Sequence, residues 1–229
     1  PIAYSDEYQT PTELDEAGIQ KVRDDFRRAA KRAKEIGFDS IELHMAHGYL
    51  LHQFLSPLSN RRTDRYGVTR ENRMRLPLEI FKIASQEFEG PVGVRLSASD
   101  LVPGGWDLDR TIVLVNELKK LGCAYAHISS GGLSPDQTIN LSAGYQVEFA
   151  QAVKRQTEIP TIAVGLITEA ETAESVITSK QADMVAIGRG MLYDPRWGWH
   201  AAAKLGQSLK VAPQYLRCQP RTVKNLFFK

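Results

Sequence analysis

The chain has 229 residues, 42% of them hydrophobic and 24% charged, with a formal net charge of +2. That balance belongs to an ordinary globular protein long enough to bury a core, and it excludes a disordered or low-complexity chain. Basic residues are spread along the sequence, so nothing demands nucleic acid or an anionic membrane, and no run reaches the length of a membrane span or has the pattern of a signal peptide.

The first predicted helix is capped at Thr12 or Asp15, with Ile19, Val22, Phe26, Ala29, Ala30 and Ala33 at helical spacing up to Gly37. A short run, GFDSIELHMAH, follows as a strand ending in polar residues. The same order then recurs. A helix through Leu76, Leu78, Ile80, Phe81 and Ile83 leads to PVGVRLSA, and DLDRTIVLVNELKKLG leads to YAHISSGG. YQVEFAQAVKRQTE leads to IPTIAVGLI, EAETAESVITSKQ leads to ADMVAIGRG, and a last helix surrounds WGWHAAAKLG. Helix and strand thus alternate five times across one expected domain, residues 1–229. Strands this short and apolar are expected to be covered on both faces, in a parallel sheet with helices outside.

Each strand ends in residues too polar or too small for a core: His44 and His47, Arg95 and Ser97, Ser129 and Ser130, Gly165, then Gly188 and Arg189. In βα folds the carboxyl ends of the strands face one crevice, so these residues are expected to converge. An open doubly wound sheet carries a glycine-rich turn after its first strand, and none is present. Glycine turns suited to phosphate instead follow the last two strands, which favours a TIM barrel, although five strands cannot close an eight-stranded one.

His44 and His47 lie three apart, whereas a zinc helix wants histidines four apart with an intervening glutamate. Metal ligands, packed histidines and paired donors to one oxygen all remain open, and Tyr49 reads either as a buried aromatic or as a proton donor. Arg95, inside an apolar strand, is either half of a structural ion pair or a fixed cation beside a ligand that gains negative charge. Gly165 and Gly188 allow close backbone approach, and Arg189 suits a phosphate. The stretch from 55 to 75 is expected to be a long loop held by its own ion pairs, since Asp64 and Glu71 interleave with its arginines. Cys123 and Cys218 have no metal-ligand spacing and read as reduced thiols of a cytoplasmic protein, with a disulfide as the alternative.

HMAHGYLLHQFLSPLSNRRTDRYG, with ENRMR after it, resembles the signature of the old yellow enzyme family, and GVRLSA, HISSGG, IAVGLIT and VAIGRGMLYDP continue the agreement in order. Histidine at position 47 resembles the bacterial, thermophilic-like branch. The resemblance implies a (β/α)8 barrel of which this chain supplies strands four to eight, as the carboxyl-terminal part of a longer protein. It implies FMN as cofactor, NADPH or NADH as reductant, no metal, and an α,β-unsaturated carbonyl or nitro compound as substrate. It gives His44 and His47 the substrate oxygen, Tyr49 the α-carbon proton, Arg95 the flavin pyrimidine edge, and Gly165, Gly188 and Arg189 the FMN phosphate. PQYLR resembles a tail whose arginine, here Arg217, reaches a neighbouring subunit's site in a dimer. An incomplete barrel without activity, or a flavin-binding module needing a second segment, is the alternative. The family usually has two glycines after the loop tyrosine. Here Gly67 is followed by Val68, so positive φ is expected to be dispensable there, or the loop to differ locally.

Overall fold

A computed structural model describes residues 1–229. Helix α1 (Glu16–Glu35) is capped by Asp15, whose carboxylate accepts the Gly18 N–H at 2.7 Å. It lies on α3 (Arg70–Phe88), with Arg23 bridging to Glu79 at 2.6 Å. Strands β1 (Ile41–Met45), β2 (Val92–Ser97), β3 (Ala126–Ser129), β4 (Thr161–Ala163) and β5 (Met184–Val185) form one parallel sheet in sequential order. A doubly wound sheet reverses order at its switch point, and this one does not. The monotonic order is the order of a barrel. Between strands run α4 (Leu108–Lys120), α5 (Val147–Thr157) and α6 (Ala170–Thr178), and α7 (Arg189–Tyr193) and α8 (Trp197–Lys204) follow β5. A small pair, β6 (Leu209–Lys210) with β7 (Phe227–Phe228), brackets a 3-10 helix at Pro213–Cys218.

Side chains alternate across the sheet. Leu43, Met45, Val92, Val94, Leu96, Ala126, Ile128 and Ala163 are buried in the core under the helices. On the opposite face the register sets His44, Arg95, His127, Ile162 and Met184 in one row. Burial on both faces holds for β2 and β3, but the edge strand β1 alternates, with Glu42 and His44 exposed. An edge strand has a neighbour on one side only, so its polar positions stay open on the face away from the helices.

The stretch expected as one long loop is shorter. Leu50–Leu55 is a helix, α2, and residues from Arg70 on already belong to α3. The loop between them is held only in part by its own charges: Arg62 pairs with Asp64 inside it, but also with Glu13 ahead of α1, and Arg65 pairs with Glu16 at the start of α1. The relaxed φ expected at Val68 is not found. Its φ is +68°, so a β-branched residue occupies the left-handed region. Val68→Gly is expected to raise stability by about 1 kcal/mol, read as a Tm increase of about 2–4 °C. An unchanged or lower Tm would show that the side chain's contacts outweigh the strain.

Candidate active site

Beyond β1 the chain turns through His47 (φ +57°) and Gly48 (φ +75°) into α2. A Cβ on Gly48 would stand 2.2 Å from the carbonyl oxygen of Gly132, and one on Gly132 would stand 2.5 Å from the Cα of His47. The two glycine turns, one after β1 and one after β3, therefore interlock backbone to backbone. Ser97 at the end of β2 ties them together. Its hydroxyl accepts the His47 N–H at 3.0 Å and donates to the Gly131 carbonyl at 2.8 Å.

This turn brings three aromatic side chains together. The rings of His44 and His47 lie 5.2 Å apart edge to face, and the Tyr49 ring lies 5.1 Å from His44. His44 and Tyr49 are exposed, whereas His47 is half-buried with Nε2 2.7 Å from the hydroxyl of Ser129. Ser129 and Ser130 both donate to Oε1 of Gln146, whose Nε2 faces the Val164 carbonyl. The Ser129 oxygen is left to accept, so His47 carries its proton on Nε2 and donates it there. To hold a substrate oxygen through Nε2–H, His47 must exchange this partner for the ligand. His44 is free of any such commitment.

Burial, then the Arg95 charge, pushes the His47 imidazole down to about 4 and lowers that of His44 as well. A neutral His47 that resists protonation has a sign that can be checked. The unfolded chain takes the proton near the ordinary value of 6.5 and the folded chain only near 4, so the stabilisation is whole above 6.5 and is lost as pH falls toward 4. Urea midpoints are expected to drop from pH 7 to pH 5, and to drop less in His47→Gln. A steeper drop in the variant would reverse the assignment.

Arg95 points onto the open face of the sheet between His44 and His127, and its Nε is buried with no partner. The structural ion pair is not formed, because Glu42 on the same face is engaged by His127 Nδ1 at 3.2 Å. His127 Nε2 is likewise buried and unpartnered. Glu42 can only accept, so His127 donates from Nδ1 and its Nε2 is left an open acceptor beside the open Nε–H donor of Arg95. A donor and an acceptor without partners in one row mark a surface suited to a polar ligand. Gly165 (φ +123°) and Gly188 follow the neighbouring strands β4 and β5, and Arg189, exposed, opens α7. Arg217 is exposed on the 3-10 helix of the tail. No group of three or more His, Cys, Asp or Glu side chains is placed to hold a metal ion, and no helix is long and apolar enough to cross a membrane.

Residues 1–207 match the NADH:flavin oxidoreductase / NADH oxidase family. The chain belongs to this family. The family uses FMN with NAD(P)H as reductant, and the chain is of its old yellow enzyme type. Similar family members are the NADPH dehydrogenases of Listeria monocytogenes, 41% identical over 220 residues, and of Geobacillus thermodenitrificans, 42% identical over 216 residues. Each match covers 94% of this chain, which spans 64% and 63% of those relatives' lengths. Among solved structures, morphinone reductase is 30% identical with a TM-score of 0.71, covering 97% of this chain and 56% of that one. A 2-naphthoyl-CoA reductase complex, 23% identical with a TM-score of 0.81 over 90% of this chain, shares the fold.

Four polar residues around this candidate site escape a reading of the sequence. His127 and Gln146 are placed by strand register and by a contact 17 positions away. His52 and Asp100, both fully buried, meet across 48 positions. For Asp100 the available signal is an acid three residues past the end of an apolar strand.

Proposed function

We propose that the protein is an FMN-dependent oxidoreductase of the ene-reductase type, acting on α,β-unsaturated carbonyl or nitro compounds, and that its sheet corresponds to strands four to eight of a (β/α)8 barrel. The observation that carries this is the convergence of His44, His47, Tyr49 and the unpartnered Arg95 at the carboxyl ends of β1 and β2. The residues fit the cofactor. The orphaned Nε of Arg95 suits the electron-rich pyrimidine edge of a flavin, and Gly165, Gly188 and Arg189 are the residues that would hold its phosphate. FMN, when bound, supplies hydride transfer from NAD(P)H to the activated alkene.

The protein's own residues do the rest. Arg95 places a fixed positive charge where negative charge gathers. His44, and His47 once it leaves Ser129, donate to the substrate's carbonyl or nitro oxygen and polarise the double bond. Tyr49, at the N-cap of α2 with its hydroxyl uncommitted, donates a proton to the α-carbon. The tail carrying Arg217 is the candidate surface for a second subunit.

Tyr49→Phe is expected to slow reoxidation by an alkene about 10²–10⁴-fold while reduction by NADPH stays near its original rate. Equal losses in both half-reactions would remove Tyr49 from this role. The two unpaired edges of the sheet, at β1 and β5, favour a second reading, a flavin-binding module that works only with a second segment. A visible spectrum after incubation with FMN and desalting separates them. Retained flavin that bleaches with NADPH supports the first, and a colourless protein supports the second.

A further inference from the structure

Gly48, at the centre of the interlocked turns, is held by hydrogen bonds at both ends of its peptide. Its carbonyl accepts from Gln53 Nε2 at 2.6 Å, and its N–H donates to Nδ1 of His52 at 3.0 Å. A backbone N–H is always a donor, so His52 Nδ1 carries a lone pair and the ring proton sits on Nε2. That Nε2–H points at Oδ1 of Asp100, 2.8 Å away, in a pair with no solvent exposure on either side. Oδ2 of Asp100 accepts from the Ser56 hydroxyl and from the Trp106 N–H, both at 2.6 Å. Gly105 permits this closeness, since a Cβ there would stand 2.5 Å from Oδ2.

The chain of bonds therefore runs between two fixed donors, the N–H of Trp106 and the N–H of Gly48. Only an acceptor–acceptor group beside a donor–acceptor group fits between them, and the ionised carboxylate with the Nε2-protonated imidazole is that combination. We propose that His52 and Asp100 form a positioning relay that locks the left-handed turn bearing His47 and Tyr49, with Asp100 selecting the tautomer of His52 that can accept from Gly48. Neither residue touches substrate. Each acts through the turn, and the relay's value for catalysis rests on the function proposed above.

Asp100→Asn tests it, because the shapes match and the bonding parity does not. Trp106 N–H forces the amide oxygen toward itself, so the amide NH₂ faces His52 Nε2. The ring must then carry its proton on Nδ1, donor against donor with Gly48. In ¹⁵N-labelled full chain, two-bond proton–nitrogen spectra are expected to show His52 protonated on Nε2 in the native protein and on Nδ1 in the variant. Gly48 amide exchange is expected to quicken about tenfold, the loss of one hydrogen bond, with far-UV circular dichroism unchanged. A variant that keeps Nε2–H and a protected Gly48 overturns the relay.

Should Asp100→Asn fail to fold, His52→Asn and His52→Gln decide the matter. Asparagine sets its oxygen on Cγ, where Nδ1 stood, and is expected to keep Gly48 protected; glutamine reaches toward Asp100 instead and is expected to lose that protection. Identical exchange in both variants would leave His52 a packing residue only. These measurements use no ligand. Retained binding of a phenol by the flavin-loaded His44→Ala/His47→Ala protein would sink the proposed function and leave the relay standing.

Discussion

Gly132→Ala is expected to destabilise the protein by about 3 kcal/mol or more. Two costs combine at this position. Its φ of +91° lies where an L side chain is strained, and its new Cβ would meet the Cα of His47 at 2.5 Å and the carbonyl carbon at 2.9 Å. Both contacts are backbone, which has no rotamer to move. Relief requires the His47 turn to shift, which breaks the Ser129 contact and parts the imidazoles. Gly104→Ala is the control, with φ +75° and nothing within 4 Å of the added carbon. It is expected to lose only the conformational share, about 1–2 kcal/mol. Urea unfolding of the two variants gives the difference, and equal losses would show that the turns do not interlock in solution.

Arg95→Met is expected to lower FMN affinity about 10–100-fold, the worth of one charge-assisted hydrogen bond. The fold is expected to survive, because the arginine's Nε has no partner to orphan and methionine fills a similar length. A second readout does not involve the flavin. The Arg95 charge helps to lower both His44 and His47, so both imidazoles are expected to titrate higher in the variant, by NMR. Burial remains the larger cause and keeps His47 below its ordinary value. Unmoved histidines would place Arg95 elsewhere than over the row it shares with His44.

Much of the fold was legible because its signals are local. Asp15 caps α1, the helical spacing from Ile19 to Ala33 marks its inner side except at the exposed Ala29, and the polar residues at the ends of β1, β2 and β3 do meet, with Ser97 and Ser129 both bonded to His47. Helix α2 escaped because LLHQFL is too short for a period to show, and helix and buried strand look alike over six residues. Strands β4 and β5 pair over only three and two residues, since the ladder stops where Gly165 and the segment after Val185 leave the sheet. Val68 misled for a different reason: the turn's backbone geometry is set by Gly67, whose Cβ would stand 2.0 Å from the Arg62 carbonyl oxygen, and the valine is carried along with it. Gln146 and Asp100 were invisible because long-range hydrogen bonds leave no periodicity in a sequence.

The two thiols differ in a way that makes the chain its own reporter. Cys123 is buried under α4, and desolvation pushes its thiol up to about 12, so it stays protonated and closed to reagents at neutral pH. Cys218 is exposed beside Arg217 in the tail. Within residues 1–229 a maleimide-linked spin label therefore attaches at one position, Cys218. Dipolar spectroscopy on such a preparation measures the separation between tails in any assembly the protein forms.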